Sequence, residues 1–344
     1  MKIEFRAERK KTTLIDPRTS ERKVIPSEVR HDPLTGRTAR ICHFMPLRWG
    51  KPDFEKLVAG TESWCPFCPD KVMAVTPSFP PEILPEGRLV FDDMVLFPNI
   101  APYDELAAVA TLGSRHFTLM TEFTPEQIAK AFGLALEFFR KIHATGHPES
   151  VYHLINWNHM PPAGSSLIHS HLQVFASAHA PNLMNMELES ARKYMEANNA
   201  NFWDDYVALE EREGERFLGR TGNTSWLLAY APMGVAGDLV GIVEGRRSTL
   251  ELTDTDLLDM GEGLCRAMRA YDEMGIWGFN ANLFTGPAAG EDYARVHIVF
   301  SPRTFFNQAL GSTDIGALRN LYNETLCMAF PEEIRNKLAP FFDV

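Results

Sequence analysis

The sequence has no long hydrophobic run and few cysteines. No stretch reaches the roughly 20 apolar residues that a helix needs to span a bilayer. The opening MKIEFRAERKKTTLIDPRTS contains no apolar segment of the secretory-signal kind. Five cysteines in 344 residues do not make a disulfide framework. These absences predict a soluble, cytoplasmic protein with no membrane partner. A polybasic tract is missing too: 34 Lys and Arg stand against 45 Asp and Glu, for a formal charge of −11. A nucleic-acid backbone is therefore not the expected partner. An acidic chain can still hold a phosphorylated small molecule, because backbone N–H groups and one or two cations suffice locally. What is present, 45% hydrophobic and 23% charged residues, is the make-up of a globular protein with a substantial core.

After a polar lead to about residue 30, HDPLTGRTARI (31–41) reads as a turn running into a strand. Residues 44–87 are too rich in proline for regular structure, so something other than hydrogen-bond ladders must hold them, and a metal would serve. From there the chain repeats itself at an offset of roughly 130 residues. Each copy has strands, a capped helix (TPEQ, TDTD), a strand, a glycine loop and a strand bearing a histidine: IHSHLQVFAS in the first, VHIVFSPR in the second. The helices carry the i, i+3, i+4 apolar spacing that packs one face on a sheet, as in Ile128, Phe132, Leu136 and Phe139. Residues 185–217 read as two helices, and 313–342 as two more. The expected class is α+β: two tandem α/β units, residues 1–180 and 181–344, with mainly antiparallel sheet and flanking helices.

WCPFCPD places Cys65 and Cys68 in a Cys-x-x-Cys turn, a spacing that lets two thiolates chelate one tetrahedral ion. Redox pairs of this spacing open a helix inside a βαβ unit; flanking prolines favour a metal knuckle instead. A histidine from the His169/His171 pair would be a third ligand and His116 a fourth, a closed structural zinc site. Cys42, Cys265 and Cys327 have no paired spacing and read as packing residues.

The stretch GSSLIHSHLQVFAS (164–177) sets His169, His171 and Gln173 at strand alternation, about 6.5–7 Å apart along one face. If the metal takes one histidine, the other lies free beside a Gly-Ser-Ser loop whose N–H groups and hydroxyls can hold a phosphate. Imidazole attacks phosphorus near neutral pH, so the pattern points to a covalent nucleotidyl-histidine. Other readings are that both histidines chelate one catalytic ion, that the chain binds nucleotides without catalysis, or that the row only fills a polar face.

These residues resemble the galactose-1-phosphate uridylyltransferase family of the histidine-triad superfamily, whose motif is Asn, a Gly-x-Ser loop and His-Pro-His-x-Gln. Here the positions are Asn158, Gly164-Ser165-Ser166 and His169-Ser170-His171-Leu172-Gln173, with serine in place of the proline. HDPLTGRTARI, CPFC, VLFPNIAP and HFTLMTEFT extend the likeness over most of the chain. The resemblance implies tandem histidine-triad-like units and divides the labour. Cys65, Cys68, His116 and His169 hold structural zinc, and His171 attacks the α-phosphorus of a nucleotide donor. Gln173 and Ser166 hold the phosphate oxygens; Phe97 and Asn99 line the nucleoside; Asn158, Gly164, Ser165 and Arg48 contact the donor. It implies nucleotide-sugar and phosphorylated substrates, transfer to a sugar 1-phosphate, and a homodimer. Relatives on this scaffold use inorganic phosphate as acceptor, which is the alternative. A second family metal is not expected, because His297-Ile298-Val299 lacks the partner histidine and Glu187 stands alone.

Overall fold

The computed structural model describes residues 3–42, 49–313 and 318–342. Arg48 lies outside them. The chain opens with a long hairpin, β1 (Arg6–Ile15) and β2 (Arg22–His31), joined to β3 (Thr38–Ile41). Asp32 shapes the connecting turn, its Oδ1 accepting from the Leu34 and Thr35 amides and the Thr35 hydroxyl. β3 pairs in parallel with Leu326–Cys327. The polar lead of the sequence is thus ordered ribbon. Every residue of β1 is exposed, so no apolar alternation could announce the strand.

Two short helices, α1 (Phe54–Val58) and α2 (Val72–Val75), punctuate the proline-rich stretch, which is therefore less irregular than its composition predicts. Then come β4 (Leu89–Phe91), β5 (Met94–Pro98), β6 (Leu106–Thr111), the 20-residue helix α3 (Pro125–Ala144), β7 (Tyr152–His159) and β8 (His171–Ser177). Helices α4 (Asn182–Asn198) and α5 (Phe202–Glu213) lead to the second round: β9 (Phe217–Thr221), β10 (Thr224–Leu228), β11 (Leu239–Val243), α6 (Asp254–Glu273), β12 (Gly278–Phe284) and β13 (His297–Arg303). Helix α7 (Pro331–Phe342) follows. It is the one α-helix described after residue 313, where the sequence pattern predicts two. The segment Leu318–Tyr322 is a single π-helical turn, and Leu326–Cys327 pairs as strand.

The strands form one ten-stranded antiparallel sheet in the order β4-β5-β6-β8-β7-β12-β13-β11-β10-β9. The second half is the first read backwards, so the expected tandem units are present and share one sheet about a pseudo-two-fold axis. The seam is the β7–β12 ladder, where Asn156 faces Asn282 and donates a 2.7 Å side-chain hydrogen bond to it. Thr124 and Thr253 cap α3 and α6 as the sequence predicts. The two helices lie side by side on one face of the sheet, over a core that includes Ile155, Trp157, Leu172, Val174, Phe279 and Phe300. The opposite face is covered by the proline-rich loop on the first half and by α4 and α5 on the second. No helix among the described residues is long and apolar enough to cross a membrane.

Trp226 shows how tightly the helix face is packed. It is fully buried, faces Gly241 across the β10–β11 ladder and lies against Gly263 of α6. A methyl group on Gly241 would sit 2.6 Å from the indole. Alanine normally gains up to about 1 kcal/mol over glycine inside a helix. Gly263→Ala is expected instead to destabilise by about 1–3 kcal/mol through overpacking. Urea denaturation measures it, and an unchanged or raised midpoint would mean that Trp226 is free to move.

Candidate active site

Four buried or half-buried side chains from distant parts of the chain converge beside the start of β8. The thiols of Cys65 and Cys68 and one ring nitrogen each from His116 and His169 all lie within 4.8 Å of one another. Nδ1 of His116 is 3.4 Å and Nδ1 of His169 3.9 Å from the Cys68 sulfur. Their far nitrogens are both committed. His169 Nε2 donates to the Gly113 carbonyl at 2.9 Å. His116 Nε2 contacts Thr61 Oγ1 at 2.8 Å; that hydroxyl donates its own proton to the Val58 carbonyl, so it accepts from the ring. Both imidazoles therefore present a bare Nδ1 to the sulfurs, the tautomer a metal ligand needs. Gly113, at φ +106, makes the turn after β6 that brings its carbonyl to His169.

Two thiols and two imidazoles so arranged suit a tetrahedral zinc ion. Burial and the neighbouring Cys65 push the Cys68 thiol up to about 12, and burial holds His116 and His169 below the usual histidine range. A bound cation would reverse the cost for the thiols by stabilising the thiolates. The site can thus hold a metal whose role is to tie the proline-rich loop to β6 and β8.

His171 lies outside this cluster. The β8 ladder begins at His171, and His169 precedes it in a bend rather than sharing a regular strand with it, as the spacing alone predicts. Nδ1–H of His171 donates to the His169 carbonyl at 2.8 Å, which leaves Nε2 as the lone-pair nitrogen. The ring is 93% shielded from solvent, and burial lowers its basicity. Phe67, the residue inside the Cys-x-x-Cys turn, stands edge-on to it at 5.1 Å and packs on Phe97 at 5.3 Å. Val72, Val95 and Val109 complete an apolar wall around these rings. Nothing in the sequence pattern singles out Phe67 or Val109, because only the crossing of the metal loop over β5 and β6 brings them to His171.

Gln173 is half-buried two residues on, between Val109 of β6 and Asn156 of β7. Asn158 shares that face of β7 and accepts at 2.7 Å from Asn280, whose own Oδ1 accepts from Arg303 Nε at 2.6 Å. The Gly-Ser-Ser loop leaves a short 3-10 turn (Pro161–Ala163) through Gly164 in the left-handed region, φ +83. The Ser165 hydroxyl donates back to the Leu167 carbonyl, while Ser166 is exposed. Asn99 closes a turn, accepting from the Ala101 amide. His153 is a core residue stacked 4.3 Å from Phe139.

No protein-family model matches the chain. It is 32% identical over 339 residues, 98% of each chain, to an uncharacterized protein of Archaeoglobus fulgidus. Its fold is similar to those of a GalT-like protein from Arabidopsis thaliana (16% identity, TM-score 0.68) and an ADP-glucose phosphorylase from the same plant, solved with ADP-glucose bound (16%, TM-score 0.67). A uridylyltransferase is comparable at 20% identity and TM-score 0.65. Each of these likenesses covers 91% of this chain and 98% of the other.

Metal analysis tests the cluster. About one ion per chain is expected in the wild type and in His171→Ala, and a clear loss in a Cys65→Ser/Cys68→Ser double variant. Loss of metal from His171→Ala would put that ring in the coordination sphere. Chelation is expected to open residues 49–88 to proteolysis before the rest of the fold.

Proposed function

Because this chain belongs to one family with the archaeal relative and has the GalT-like fold of the histidine-triad superfamily, we propose that it transfers a nucleoside monophosphate through His171. The observation that carries this reading is the hydrogen bond from His171 Nδ1 to the His169 carbonyl. It fixes the tautomer, so that the lone pair of Nε2 points away from the backbone as a nucleophile.

Nε2 attacks the α-phosphorus of a nucleotide sugar. The bond from phosphorus to the bridging oxygen breaks, and the sugar 1-phosphate leaves with that electron pair. The nucleotidyl group is now held on Nε2. An oxygen of an acceptor phosphate then attacks the same phosphorus, the P–N bond breaks and the imidazole is restored. Gln173 and the loop of Gly164, Ser165 and Ser166 hold the phosphoryl oxygens as charge grows on them. Asn158 helps fix the donor, and Asn99 meets the nucleoside. The flat apolar wall of Phe67, Phe97 and Val109 suits a base stacked beside the phosphate. Cys65, Cys68, His116 and His169 would hold zinc, which would supply rigidity to the loop and take no part in the transfer.

The acceptor in the first reading is a sugar 1-phosphate. Inorganic phosphate is the second, favoured by the likeness in fold to an ADP-glucose phosphorylase. Intact mass after brief exposure to UDP-glucose, ADP-glucose or GDP-mannose tests the mechanism. A gain of one nucleoside monophosphate is expected with one donor and none in His171→Ala. Gln173→Leu is expected to slow adduct formation by about 10²–10³-fold. No adduct with any donor, and unchanged nucleotide binding by His171→Ala, would make the chain a non-catalytic binder.

The expected homodimer is supported by the hairpin β1–β2. Arg9, Lys10, Lys11, Arg22 and Lys23 make it basic on a chain of net charge −11, and Leu14, Ile15 and Val24 stand exposed on it. Such a ribbon complements the acidic body of a second copy. A Lys10→Glu/Lys11→Glu variant is expected to elute as monomer where the wild type elutes as dimer. Equal elution would remove the hairpin from the interface.

A further inference from the structure

A cavity in the second half of the chain has no lining from His171. It lies on the same face of the sheet in the second half, has a volume of about 550 Å³ and is roofed by α4, α5 and the turn after β2. That size lies within the usual range for small-molecule sites. His297 stands in it where His171 stands in the first half. Each opens the strand next to the inner one of its unit, and each donates from Nδ1 to the carbonyl two residues earlier, His297 to Arg295 at 3.1 Å. The chemistry has diverged, because Val299 replaces the glutamine and Arg295 the first histidine. His297 is instead clamped between Trp203 at 4.1 Å and Phe284 at 5.3 Å.

Among the described residues, three that line this cavity carry a buried polar atom without a hydrogen-bond partner: Arg37 Nη1, Asp238 Oδ1 and His297 Nε2. Asp238 and His297 are themselves 98% and 96% shielded. The nearest carboxylate to His297 Nε2 is Glu187, at 3.6 Å. Buried polar groups are normally satisfied, so an unmet set on one cavity marks a missing partner. With Nδ1 donating, His297 Nε2 accepts; Asp238 Oδ1 accepts; Arg37 donates and is cationic. The complement is a molecule with two hydroxyl donors and an anionic group. Aromatic walls from Trp203, Tyr206 and Tyr230 suit the apolar face of a sugar ring.

We propose that this cavity is a second ligand site, for a phosphorylated polyol of the sugar-phosphate class, which binds and does not react. It shares an edge with the first site through the chain Asn158–Asn280–Arg303.

Trp203 serves as reporter in the full-length protein titrated with glucose 1-phosphate and ribose 5-phosphate. A saturable fluorescence change is expected with at least one of them, and none in Trp203→Phe. Calorimetry should show the affinity reduced about tenfold or more in Arg37→Gln and in His297→Leu. Arg37 is only partly buried, so its variant keeps the test open should His297→Leu fail to fold. Nucleotidyl adduct formation at His171 should be unchanged in Arg37→Gln, which separates this site from the proposed transfer chemistry. No saturable change up to about 10 mM, or equal affinity in Arg37→Gln, would overturn the proposal. So would abolition by Gln173→Leu, which would place the ligand at the first site. Inorganic phosphate binding as tightly as the sugar phosphates would leave an anion site with no role for the polyol.

Discussion

The ladder between β7 and β12 is the interaction on which the rest of the molecule depends. Each α+β unit has an inner strand that would be an open edge by itself, with unpaired backbone donors and acceptors. Pairing the two inner strands antiparallel removes both edges at once and makes one sheet of ten strands. It also forces α3 and α6 onto the same face, because both crossovers then have the same hand relative to the common sheet. The other face is left for covering segments, and they differ: the proline-rich loop with the four candidate metal ligands on one half, α4 and α5 on the other. The asymmetry of the two halves begins there.

On the first half the metal cluster and His171 are coupled through one residue. His169 gives its Nδ1 to the cluster, its Nε2–H to Gly113, and its main-chain carbonyl to His171. A bound metal would thus hold the group that sets the tautomer of His171, and the Cys-x-x-Cys turn would position Phe67 against the same ring. The candidate metal ligands and His171 are different side chains held by one stretch of backbone.

The second half shares the backbone geometry of the first but not its side chains, with Arg295 and Val299 where the first half has His169 and Gln173. His297 retains the same Nδ1 bond, yet aromatic rings from α5 and β12 enclose it. Divergence here acted on side chains of one sheet face while the helix face, where Trp226 fills the space left by two glycines, stayed close-packed.

Much of this was legible in the sequence. The repeat, the caps Thr124 and Thr253, the Cys65–Cys68 spacing and the His171-x-Gln173 alternation are local or periodic, so composition and spacing carry them. The strand β1 was hidden because both its faces meet solvent and no alternation is required of it. The second terminal helix was expected from local pattern, whereas Leu326–Cys327 found a better partner in β3, a pairing nearly 290 residues apart in the chain. Phe67, Thr61 and Gly113 became visible only in three dimensions, since each matters through a neighbour from another element. The same holds for the three unmet polar atoms around His297. The sequence by itself determined which residues can do chemistry, because that is a property of side chains and their spacing. Tertiary structure alone decided which nitrogen of each histidine is bare, because that depends on hydrogen bonds between segments that meet only when the sheet closes.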